Sequence, residues 1–140
     1  MEAHPVIALY PKSEQIEALR AGAADRPVVM VNLLRFKPRA EPPDDDVSGE
    51  EAFRRYGDPM TAFITSKGAR VIWVGHVDSQ VMGQGGDAFD MVAVVEYPSR
   101  EAFIAIATDP YVQALAVHRS AGLEGQWLLA ATTDATTAQG

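Results

Sequence analysis

PVVMVNLLRFK, residues 27–37, decides how the rest of the chain is read. From Val28 to Leu34 the residues are β-branched or large and apolar with one exception, and Pro27 stands where a strand tolerates proline, at its start. The pattern predicts a strand buried on both faces. The exception is Asn32. A buried amide without partners costs on the order of 1–3 kcal/mol, so Asn32 either ties down the architecture or faces a pocket. Arg35 and Lys37 close the stretch.

Upstream, residues 4–11 form a short apolar segment between prolines, an edge strand or an extended arm. Ser13 to Ala21 carries Ile16, Leu19 and Arg20 at helical spacing and is stopped by Gly22. Downstream, residues 38–49 (PRAEPPDDDVSG) read as a solvated loop whose composition cannot pack a core. Three consecutive aspartates point in different directions and lack the spacing of a calcium loop, so they predict no metal site.

Ser48 and Glu51 have the spacing of a capping box. Phe53, Tyr56, Met60, Phe63 and Ile64 then recur every three or four residues, giving an amphipathic helix to about Lys67 that Gly68 ends. Gly57-Asp58-Pro59 predicts a kink or break within it. Arg70 to Met82 is a strand with Val71 and Trp73 on one face and Ile72, Val74 and His76 on the other. The glycines at 83, 85 and 86 make a hairpin turn, and Ala88 to Tyr97 is the next strand. Ser99 caps a helix interrupted at Asp109-Pro110 and resumed from Tyr111 to Arg119, with Gly122 as its stop. Gly125 to Ala131 is the last strand.

The chain divides into an arm and short helix at 1–26, a domain at 27–131 and a small polar tail at 132–140. Within the domain the order strand, helix, strand, strand, helix, strand is the ferredoxin-like split βαβ (βαββαβ), an α+β fold with an antiparallel sheet. Its helices cover one face of the sheet, yet three strands carry apolar residues on both. A second copy of the same sheet is the economical cover, so the pattern predicts a homodimer forming a dimeric α+β barrel.

VNLLRFK, Tyr56, GARVIWVG, DMVAVVEYPSREAF and a tyrosine followed by HRSAGL together resemble the family called domain of unknown function 1330, from about Pro27 to Ala131. The resemblance implies the dimeric barrel and brings no established activity. The wider superfamily holds cofactor-independent monooxygenases, isomerases, haem enzymes and small-molecule sensors, so fold alone leaves function open.

Composition narrows the choice. With 12 basic and 19 acidic side chains the net charge is −7, which disfavours nucleic acid or an anionic membrane as the main partner. The chain has no cysteine, hence no disulfide, thiolate metal site or cysteine nucleophile. No signal peptide or membrane span is legible, which predicts a cytoplasmic protein. The histidines at 4, 76 and 118 lack zinc-motif spacing, and no nucleophile elbow or dinucleotide fingerprint occurs. No cofactor is expected.

A cleft between Asn32, Tyr56, Asp90, His118 and Arg119 is the candidate site. Arg119 offers a bidentate grip on a carboxylate, with Asn32, Arg35, Tyr56 and Trp73 completing a substrate pocket. His118 and Asp90 are the candidate proton carriers. A carboxylate in an apolar strand needs a partner, and Arg35 or Arg119 is the one expected for Asp90. The function this supports is binding of a small, anionic compound, with metal-free isomerisation or cofactor-independent oxygenation as the catalytic form. A non-catalytic metabolite-binding or structural homodimer is the alternative.

Overall fold

A computed structural model describes residues 5–134. Eight α-helices and strands follow one another: α1 (Ser13–Arg20), β1 (Val28–Phe36), α2 (Gly49–Ser66), β2 (Arg70–His76), β3 (Met91–Tyr97), α3 (Arg100–Ala107), α4 (Pro110–Gly122) and β4 (Leu123–Ala131), with one 3-10 turn (Gly86–Ala88) between β2 and β3. The strands form one sheet in the order β2-β3-β1-β4. Every pairing is antiparallel. This is the expected ferredoxin-like α+β arrangement, with β1 at its centre.

The helices lie on one face. Val28, Met30, Leu34 and Phe36 of β1 point into that layer and are buried. Val95 and Tyr97 of β3 join Val28 and Met30, and Ile64, Ile106 and Val112 close over them. A second cluster of Leu34, Phe36 and Leu123 packs against Phe53 and Leu9. Each fully covered Met or Leu contributes about 1.5–3 kcal/mol of burial.

The alternate residues of β1 face away from the helices. Val31 pairs with Val94 and Leu129, and Leu33 with Val92 and Trp127. Trp73, Trp127 and Leu129 on this open face are about half exposed in the single chain. An apolar strand read as covered on both faces is thus covered on one within a protomer.

Three expectations are corrected. The register of β2 slips between Val71 and Trp73, so Val71 pairs with Val95 and Trp73 with Val94. This bulge moves Val71 to the helix side with Val74 and His76, where strict alternation placed it beside Trp73. Of the kink or break expected at Pro59, the break does not occur: α2 runs through it for 18 residues. Finally, the aspartate-rich loop is not simply solvated: Ala40 and Asp44 are buried.

Caps explain the helix starts. Ser48 accepts from the Glu51 N–H at 3.1 Å, Ser99 from Ala102 at 3.0 Å and Asp109 from Tyr111 at 2.8 Å. Gly68, at φ 93°, ends α2 in the left-handed region that favours glycine. Gly122 is the last residue of α4, at the expected stop, and it has a second role. Its backbone meets that of Gly49, and an added Cβ on either glycine would run into the other's carbonyl. These two residues set how closely α2 and α4 cross.

Candidate functional site

Three of the predicted residues converge between the helices and the sheet. Asn32 projects from β1 into the helix layer. Its amide donates to the Ala93 carbonyl at 3.1 Å and its oxygen accepts from Gln126 at 3.2 Å. Gln126 Oε1 in turn accepts from Arg119 Nη2 at 2.8 Å. The result is a one-way relay of donors, Arg119 to Gln126 to Asn32 to Ala93, that fixes both amides and aims the guanidinium.

Arg119 reaches inward from α4. No acidic group among the described residues pairs with it, and its guanidinium stacks over the Tyr10 ring at 5.8 Å. Withdrawal from water lowers its pKa, while Tyr56 and Tyr10 favour the charged form. Only one of its five N–H groups is bonded to protein among the described residues. Arginine stays protonated in proteins, so this is a cation with donors to spare.

Besides Tyr10, Tyr56 borders it, and Tyr97 neighbours Tyr56. Tyr56, on α2, packs against Phe53, with ring centroids 5.5 Å apart. Burial pushes its hydroxyl pKa up, partly offset by Arg119. Tyr97, on β3, is pushed well above its ordinary value by burial and further by Tyr56. Both hydroxyls therefore keep their protons near neutral pH and act there as hydrogen-bond donors.

The other predicted residues lie elsewhere. Trp73 folds over Gly75 on the open face, the sheet standing between it and Asn32. Arg35 also points to that side, 3.6 Å from Glu124. Asp90 precedes β3, and its carboxylate accepts from the Phe36 N–H at 2.8 Å. The arginine partner expected for Asp90 is thus a backbone amide; neither Arg35 nor Arg119 reaches it.

His118 turns outward although Arg119 is its neighbour, because successive helical residues point about 100° apart. Its Nδ1 lies 2.7 Å from Asp44 Oδ2, and Arg55 donates to the other oxygen of Asp44 at 2.5 Å. Burial alone would raise the Asp44 pKa. Hydrogen bonds from His118 and Arg55, with their charges, outweigh it and hold the carboxyl below 3.8. Asp44 thereby clamps the acidic loop to α2 and α4 at once.

Sequence reasoning missed Gln126 and Tyr10. Gln126 carried the same signal as Asn32, a lone amide in an apolar strand. Tyr10 arrives by tertiary packing: its arm bridges β4 through Ala8 and Gln126, with backbone bonds of 3.3 and 3.0 Å.

A ferredoxin-like α+β domain with an arginine held between helices and sheet, without an acidic partner among the described residues, is the class that fold and site define. The chain belongs to the family described as Domain of unknown function (DUF1330), whose model matches residues 44–133. The match begins in the acidic loop, at the buried Asp44. A protein of unknown function from Rhodopseudomonas palustris, RPA0582, is similar in structure, with 30% identity and a TM-score of 0.83 over 94% of this chain and 100% of that one. Methylated RPA0582 matches at 30% identity and a TM-score of 0.82, over 93% of this chain and 97% of that one. A protein from Bacteroides fragilis described as dimeric, with a ferredoxin-like fold, aligns at 16% identity and a TM-score of 0.47, over 79% of this chain and 100% of that one. No curated protein matches the chain. Among the described residues no helix is long and apolar enough to cross a membrane, and no three His, Cys, Asp or Glu side chains gather to hold a metal ion.

Proposed function

We propose that this protein is a homodimeric α+β barrel that binds a small organic anion through Arg119. The observation that carries the reading is the arginine itself. A partly buried guanidinium with no carboxylate partner among the described residues is costly, and a ligand carboxylate would relieve that cost bidentately. The Tyr56 hydroxyl would donate to the same ligand, and Asn32 would act through Gln126 by fixing the guanidinium.

Binding, rather than turnover, is the form the geometry favours. His118 is engaged by Asp44 on the outer side of α4, and Asp90 is engaged by backbone. Isomerisation or cofactor-free oxygenation would have to move its proton through a tyrosine whose pKa burial has raised, and no observation prefers that route.

The dimer rests on the open sheet face, where Trp73, Trp127 and Leu129 are large apolar side chains left about half exposed in the single chain. Calorimetric titration with acetate, wild type against Arg119→Gln, tests the site. At least a tenfold weakening is expected, and equal affinity would remove Arg119 from the reading. Sedimentation of Leu129→Arg tests the dimer: a charge in a face-to-face sheet contact should yield monomers, and an unchanged sedimentation coefficient would refute that contact.

A further inference from the structure

An open groove of about 410 Å³ lies along the outer side of α4, a volume in the range of small-molecule sites. Pro42, Ala116, Val117 and Ala121 give it an apolar floor. Glu41 stands at its rim, but Lys37 Nζ lies 3.0 Å from that carboxylate and offsets its charge. Tyr10 forms one wall, and the same Tyr10 ring lies against the Arg119 guanidinium. The groove and the arginine are therefore the two sides of one tyrosine.

That tyrosine is lightly held. The residue is 64% exposed, and its hydroxyl makes one exposed hydrogen bond, 2.8 Å, to Ser120. We infer that the groove is the apolar half of the Arg119 site, and that the ligand is a small carboxylate carrying a short hydrocarbon tail, with its head on Arg119 and its tail along Ala116 and Val117 past a displaced Tyr10. Charge complementarity fixes the head group: the cation beside the groove has no acidic partner among the described residues. The floor fixes the tail, since a wholly polar ligand would leave it unused.

This inference rests on the reading of Arg119 as an anion site, and one titration series separates the two. Acetate, butanoate, hexanoate and octanoate are titrated into the wild-type protein by calorimetry. Each methylene laid in the groove should lower Kd roughly three- to fourfold until the floor is filled. In Ala116→Phe, which fills the groove, that dependence should flatten. Val117→Asp is the second variant: this side chain is 45% exposed, so folding does not depend on it, and a carboxylate there should also flatten the series. Tyr10→Phe keeps the ring and loses the tether to Ser120, so hexanoate should bind several-fold tighter. Length-independent binding by the wild type would overturn the inference and leave Arg119 as an anion site. A length dependence that persists in both groove variants would also overturn it, and an unchanged hexanoate Kd in Tyr10→Phe would take Tyr10 out of the ligand's path. If no carboxylate binds at all, both readings fall together.

Discussion

Replacing Asp44 by asparagine keeps the shape of the side chain and removes its charge. Asp44 is 2% exposed and holds His118 at 2.7 Å and Arg55 at 2.5 Å, joining the loop to two helices. Removing one member of a fully buried ion pair costs about 3–5 kcal/mol, and a hydrogen bond to a charged group about 1.5–3 kcal/mol. Here the partners are 38% and 30% exposed, and Arg55 keeps a second carboxylate, Asp46, so water screens part of the loss. About 2 kcal/mol is expected at pH 7 from these magnitudes. At about 2.1 cal/mol/K per residue, 140 residues give an unfolding entropy near 0.3 kcal/mol/K, so Tm should fall by about 7 °C. The sign with pH follows from the lowered folded pKa of Asp44. Its stabilisation is fully present above the unfolded value of about 3.9 and is lost as pH falls through the lower folded value. Urea unfolding of both proteins at pH 7 and pH 2.5 reads the difference, and the remaining carboxylates are common to both. A variant within about 0.5 kcal/mol of wild type at pH 7 would refute the clamp, being no more than an ordinary surface change. So would a gap that does not narrow in acid.

Gly122→Ala should cost about 3 kcal/mol in the same unfolding assay, because the new methyl meets Gly49 backbone that cannot move aside. Gly125→Ala should behave differently. Its added Cβ would sit 2.8 Å from the flexible Ile7 side chain, so hydrogen exchange at the Ala8 amide should accelerate while global stability changes by less than about 1 kcal/mol. Asn32→Leu should weaken acetate binding several-fold, since Gln126 then loses a fixed acceptor and the guanidinium its aim; equal affinity would detach Asn32 from the site.

The order and type of the elements were legible because each rests on local pattern. Apolar runs bounded by proline mark β1 and β3, and capping residues Ser48 and Ser99 mark helix starts. What failed locally did so for an identifiable reason. Alternation cannot see the bulge at Ile72, since a bulge is a property of two strands in register. Pro59 looked like a break because propensity speaks for an isolated helix, and packing of Phe53, Met60, Phe63 and Ile64 against the core holds α2 through it. Of three like aspartates, composition could not show that the first is buried.

The sequence by itself determined the ferredoxin-like order of strands and helices, the apolar character of both faces of β1 and the presence of a lone amide at Asn32. It also supplied a set of polar residues without saying which of them meet. Periodicity fixes the direction of a side chain within its own element, and that suffices for the fold. A site depends on the positions of several elements at once. The crossing of α2 and α4 at Gly49 and Gly122 puts Tyr56 beside Arg119 and leaves His118 to the Asp44 loop. The register of β4 sets Gln126 between Arg119 and Asn32, and the arm brings in Tyr10 from more than a hundred residues away. Those contacts are long-range, and only the tertiary structure could decide them.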